Sequence, residues 1–168
     1  MKRLITLLSL SLILVSASDQ KKIPANVEIQ TLQGQKIKTS SLKHDGPMVI
    51  SFWATWCKPC VQELQAISES YEDLQDDYNF KLVAVSIDDQ RNVRRVPGFV
   101  SSKGWEYDVY CDPNGDFKRA MNVNTVPHTF LADAKGNIVW SHNRYSPGDE
   151  EILMENIAKL HRGESLGE

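Results

Sequence analysis

The chain has 168 residues, 41% of them hydrophobic, with 19 Lys and Arg against 22 Asp and Glu and a formal net charge of −3. That length suits one domain with an ordinary core, and the mildly acidic balance gives no electrostatic reason to expect nucleic acid or an anionic membrane surface as partner. Its three cysteines are too few for a disulfide-stapled secreted scaffold, so the fold must stand on packing.

The first residues read as a targeting segment. Lys2 and Arg3 form a positive n-region, residues 4–15 are apolar apart from Thr6, Ser9 and Ser11, and Val15-Ser16-Ala17 offers small residues at a cleavage site. The apolar stretch falls well short of the roughly 20 residues that span a bilayer. Residues 1–17 are therefore expected to be a signal peptide cleaved after Ala17, residues 18–22 a loose lead-in, and residues 23–168 one domain outside the cytoplasm. No membrane insertion is expected once the signal is removed.

Along the domain, residues 27–31 and 36–39 alternate apolar and polar around Gln33-Gly34, a half-exposed hairpin. Residues 48–54 form a mostly apolar run, a strand buried on both faces. After it, Val61, Leu64, Ile67, Tyr71, Leu74 and Tyr78 recur every three or four residues, one stripe of a helix reaching about Tyr78. Residues 80–87 are a second apolar strand ended by Asp88-Asp89. A helix over 92–103, interrupted at Pro97-Gly98, a strand over 107–111 and a turn at 112–115 follow, then one or two helical turns over 116–121. Residues 129–132 and 138–140 flank a second hairpin turn. Ser146-Pro147-Gly148-Asp149 predicts a capped start for the last helix, with Ser146 as cap, Pro147 at the first helical position and Asp149 closing the box. Ile152, Leu153, Ile157 and Leu160 are its expected buried stripe. No repeat, low-complexity tract or linker interrupts the chain.

The chemistry concentrates in Trp56-Cys57-Lys58-Pro59-Cys60. Cys57 falls where the strand gives way to the helix, and there unpaired N–H groups and the positive end of the dipole favour a thiolate. Cys60 lies one turn on, near enough to close a small disulfide that can be reduced and reoxidised without unfolding. Half of a structural zinc site is the bland alternative, but no second C-x-x-C or H-x-x-x-H follows and Cys111 stands alone. A permanent staple is another, yet so short a loop removes little chain entropy. Arg91, Arg94 and Arg95 read as a solvated helix face, with a docking patch for an acidic partner as the alternative, and Cys111 reads as a small buried apolar residue.

With Thr125-Val126-Pro127-His128-Thr129-Phe130 further on, the chain resembles the thioredoxin superfamily, and within it the extracytoplasmic TlpA/ResA-like thiol-disulfide oxidoreductases, over roughly residues 23–160. The resemblance implies a thioredoxin-like three-layer α/β/α sandwich with a mixed central sheet and an N-terminal β-hairpin. It implies a redox-active Cys57–Cys60 disulfide and a cis peptide bond before Pro127. It also places the Val126 backbone toward the thiols to receive substrate, and makes Trp56 a flat aromatic surface beside the nucleophile. Glu63 matches a semi-buried glutamate that moves protons to or from the second cysteine, which is chemically sensible because the resolving thiol must lose its proton. Ser51 stands where thioredoxins carry a buried aspartate, and Leu64-Gln65 where this branch often has a kinking proline, so a straighter helix is expected. His128 is expected to be structural and Trp53 to be core.

The implied function is reduction of disulfides in secreted or periplasmic client proteins, with no cofactor, no metal, and a membrane electron donor restoring the dithiol. Direction is not set by the residues themselves. Lys58 beside the thiolate favours the reduced form by about 0.3–1 kcal/mol, or about 6–20 mV, which is too small to decide between reductase and oxidase. A copper(I) carrier using Cys57, Cys60 and His128 is the alternative of another class. A peroxidase of related fold would use a lone peroxidatic cysteine in a different Pro/Thr setting, which neither Cys57 nor Cys111 has.

Overall fold

The structure, a computed structural model, describes residues 21–166. The expected signal peptide over 1–17 and the first lead-in residues lie outside the described residues. Lys21 and Lys22, expected to be loose, are tied down. Ile138 N–H donates to the Lys21 carbonyl at 2.8 Å, Lys22 bridges Asn137, and Lys21 Nζ reaches the Met121 carbonyl at 2.9 Å.

Seven strands form one mixed sheet in the order β2-β1-β5-β4-β3-β6-β7: β1 (Glu28–Thr31), β2 (Lys36–Lys38), β3 (Met48–Trp53), β4 (Lys81–Ser86), β5 (Asp108–Cys111), β6 (His128–Ala132) and β7 (Ile138–Asn143). β3, β4 and β5 run parallel, which explains their continuous apolar runs, since both faces are covered. The pleat then divides the core. Val49, Trp53, Leu82 and Ala84 meet α1 (Lys58–Glu69), α2 (Tyr71–Tyr78), α3 (Val96–Lys103) and α5 (Asp149–His161) on one side. Ile50, Phe52, Val83 and Val85 meet Phe117 and Met121, from and just after α4 (Asp116–Ala120), with Leu42 on the other. Three layers result, with the leading hairpin extending the sheet antiparallel to β5, as expected of a thioredoxin-like fold.

Local expectations fail at four places. The motif helix is not continuous, because Ser70 (φ −121°) breaks it between α1 and α2. No proline is involved. Serine is a weak helix former that satisfies itself elsewhere, and here its hydroxyl turns to Met154 Sδ of α5. Pro97 does not interrupt a helix either. It occupies the first turn of α3, where its missing N–H is an orphan in any case. The last helix starts later than the capping pattern suggests: Gly148 at φ 103° is its N-cap, and Ser146 makes no side-chain cap. Half of the box survives, because the Asp149 carboxylate accepts the Ser146 N–H at 2.8 Å. On that helix Leu153 and Ile157 are buried but Ile152 is 50% exposed.

One glycine is fixed by close approach. A Cβ on Gly46 would stand 2.0 Å from the Asn79 carbonyl oxygen, backbone that also accepts from His44 at 2.7 Å. Gly46→Ala should therefore destabilise the chain by about 1–3 kcal/mol, read as a lower urea midpoint with an unchanged slope. A midpoint equal to wild type would show that the two segments separate freely.

Candidate active site

β3 ends at Trp53, and residues 54–57 form a turn closed by the Cys57 N–H on the Ala54 carbonyl at 3.0 Å. The turn delivers Cys57 to the N-cap of α1, where Sγ accepts the Cys60 N–H at 3.3 Å. Pro59 sits in the first turn, where a proline is tolerated. Cys57 and Cys60 are joined as a disulfide. Their exposures differ slightly: Cys57 is 5% exposed and Cys60 0%, so the second sulfur is closed to solvent. Trp56, 66% exposed beside it, is one of two large exposed apolar side chains among the described residues. Trp53, in contrast, is core, edge-on to Trp105 at 5.1 Å.

Glu63 follows Cys60 by three residues, hence on the same face of α1. It is 5% exposed, and its Oε1 accepts the Thr129 hydroxyl at 2.7 Å. Thr129 lies directly across the β3–β6 ladder from Ser51, and the two hydroxyl oxygens are 3.1 Å apart. Glu63 Oε2 is buried with no partner among the described residues. Burial pushes the Glu63 carboxyl up to about 7, the Thr129 hydrogen bond opposes this, and Asp149 and Glu150 at the acidic start of α5 add to it.

The Val126–Pro127 bond is cis. β6 begins directly after it, with His128 opposite Phe52 near the end of β3, so Val126–Pro127 leads into the sheet at the end where β3 runs into the motif turn. Pro127 O accepts the Arg144 N–H at 3.0 Å, while Val126 packs its side chain against both halves of the core. The fold thus gathers Trp56, Cys57, Cys60, Glu63, Val126 and Pro127 at one end of the sheet. His128 is half-buried with its ring stacked on Phe130 at 4.2 Å, and burial lowers its pKa, with Lys21 and His142 adding to the effect. Cys111 is a free, buried thiol, pushed up to about 12 by burial and then by Asp88. No group of three or more His, Cys, Asp or Glu among the described residues could hold a metal ion.

Sequence reasoning noted Ser51 but missed the other supporting polar residues. Thr129 reads as an ordinary strand residue, and only its hydrogen bond to Glu63 and its cross-strand pairing with Ser51 place it in the site. Thr55 and Asp88, 33 residues apart, are joined by two hydrogen bonds that no spacing rule would reveal.

The sequence profile of the AhpC/TSA family matches residues 20–141. The chain belongs to this family. Among curated relatives of this AhpC/TSA chain is sporulation thiol-disulfide oxidoreductase A of Bacillus subtilis, 28% identical over 81% of this chain and 80% of the relative. Thiol-disulfide oxidoreductase ResA of the same organism is 29% identical over 68% of this chain and 62% of that protein, so just under two thirds of its length is represented. The solution structure of an uncharacterized thioredoxin-like protein from Porphyromonas gingivalis superposes with a TM-score of 0.74 at 44% identity, covering 83% of this chain and 92% of that one. These relatives favour neither the oxidase nor the copper-carrier alternative. No helix among the described residues is long and apolar enough to cross a membrane.

Proposed function

We propose that the protein is a thiol-disulfide oxidoreductase that reduces disulfides in client proteins outside the cytoplasm. In the reduced enzyme the Cys57 thiolate, favoured by the N-terminal N–H groups of α1, attacks one sulfur of a client disulfide. The client's S–S bond breaks, its other sulfur leaves as a thiolate, and Cys57 is held in a mixed disulfide. Glu63 takes the proton of the Cys60 thiol, and the Cys60 sulfur then displaces the client's second thiolate. The client has gained two electrons, and Cys57–Cys60 is left oxidised. A separate membrane-bound thiol donor returns the enzyme to the dithiol.

The observation that carries this reading is a disulfide at the head of one helix whose first cysteine caps the helix and whose second is wholly buried, Cys57 at 5% and Cys60 at 0% exposed. It supports Cys57 as attacker and Cys60 as resolver. A buried carboxyl one turn away supports the proton transfer. Trp56 and the Val126–Pro127 segment are the proposed client-docking surface. Support for the location comes from residues 1–17, whose charged start, apolar stretch and small-residue end have the form of a cleavable export signal.

Equilibration with glutathione tests the direction. A reductase should poise below about −200 mV, whereas a value near −120 mV belongs to a strong oxidant and would overturn the reading. Export predicts mature protein beginning at Ser18, and extracytoplasmic material still beginning at Met1 would refute the cleaved signal.

A further inference from the structure

Asp88 lies just beyond β4 and is 0% exposed. A carboxylate so placed is unfavourable unless donors surround it, and among the described residues no ion pair reaches it. Its partners are neutral. Oδ2 accepts the Thr55 N–H at 2.8 Å and the Ser86 hydroxyl at 2.7 Å, while Oδ1 accepts the Thr55 hydroxyl at 2.6 Å. Two of these bonds come from one residue of the turn that leads to Cys57.

The turn explains why Thr55 has a donor to give. Its closing bond uses the Cys57 N–H and the Ala54 carbonyl, and the N–H of the second turn residue has no partner inside such a turn. Thr55 is that residue, and it hands the orphan N–H to Asp88. With backbone and hydroxyl both bound to one carboxylate, Thr55 is held at two points. The frame behind it is equally fixed, because Trp53 pairs with Ser86 in the ladder and the Ile87 N–H donates to the Trp53 carbonyl at 2.8 Å. Trp56 and Cys57 are the next two residues.

We propose that Asp88 is a positioning residue for Cys57: by clamping Thr55 through its N–H and hydroxyl, it fixes the turn over residues 54–57 that presents Trp56 and the attacking sulfur to a client disulfide. The proposal rests on Cys57 being the attacking thiol. Displacement at sulfur is sensitive to the line of approach, and small misplacements of a reacting group lower rates severalfold or more.

The test compares Thr55→Val, which loses the hydroxyl donor but keeps shape and N–H, with Thr55→Ser, which keeps both donors, and with Asp88→Asn. Two readouts are taken: the second-order rate of the reduced protein with a small symmetric disulfide, and the pH profile of Cys57 alkylation by iodoacetamide in a Cys60→Ala background. Thr55→Val should react about tenfold more slowly, equivalent to about 1.4 kcal/mol, and its alkylation midpoint should rise as the turn loosens its hold on the helix start. Thr55→Ser should restore both. If Thr55→Val matches wild type in rate and midpoint, or Thr55→Ser is as impaired as Thr55→Val, the clamp is refuted. Should Asp88→Asn fail to fold, the Thr55 pair decides alone, since it alters one bond at a half-buried position. A Cys57→Ser protein that still reduces the probe would instead refute the reading beneath the proposal, a result the clamp variants cannot mimic.

Discussion

Cys57→Ser is expected to abolish insulin-disulfide reduction, a loss on the order of a thousandfold or more, because the nucleophile itself is removed. Cys60 cannot substitute: at 0% exposure its sulfur has no path to a client. Cys60→Ala should behave differently. It leaves the first displacement intact and removes the second, so client proteins should accumulate as mixed disulfides on Cys57, visible as reductant-sensitive bands on non-reducing gels. Cys111 supplies the control. Its thiol is buried and pushed up to about 12, which keeps it protonated at neutral pH and so a poor nucleophile, so Cys111→Ala should keep full activity. Residual reduction by Cys57→Ser, or trapping by Cys57→Ser in place of Cys60→Ala, would reverse the assignment of attacker and resolver.

Glu63→Gln should trade activity for stability, and the sign follows from burial. The carboxyl rises from an ordinary 4.5 to about 7 in the folded chain. Between those values the folded chain holds a proton that the unfolded chain has released, so stability falls as pH rises through the window, by an order-of-magnitude 3 kcal/mol in total. Below about pH 4.5 both states are protonated and the penalty vanishes. Gln carries no charge to bury. Glu63→Gln should therefore flatten the slope and be more stable than wild type at pH 8 by on the order of 2 kcal/mol, part of the gain being lost because an amide N–H₂ would stand where Oε2 has no partner. Resolution of a preformed mixed disulfide should slow by about tenfold to a hundredfold at pH 7. Urea melts at pH 5 and pH 8 and stopped-flow resolution check the two halves. Parallel pH slopes in the two proteins would show that Glu63 does not titrate as its burial demands.

Some of this was open to a reader of residues alone, because the information is local. A run such as Met48–Trp53 can satisfy its side chains only between two layers, and a C-x-x-C at the change from strand to helix period puts a thiol among orphan N–H groups wherever the chain goes next. Boundaries were less legible where two local signals compete. Ser70 lies within a helical stripe yet breaks it, and Gly148 adopts a left-handed conformation between a good cap and a good first turn, so α5 begins after it.

The site divides along the same line. The sulfur pair, its order and its place at a helix head were determined by sequence, since three residues of spacing and one change of period fix them. The burial of Glu63, its contact with Thr129 and the grip of Asp88 on Thr55 were decided only by the tertiary fold. Each joins residues from different strands and turns, and their protonation and rigidity depend on how much water the assembled sheet and helices exclude, a property no short segment possesses.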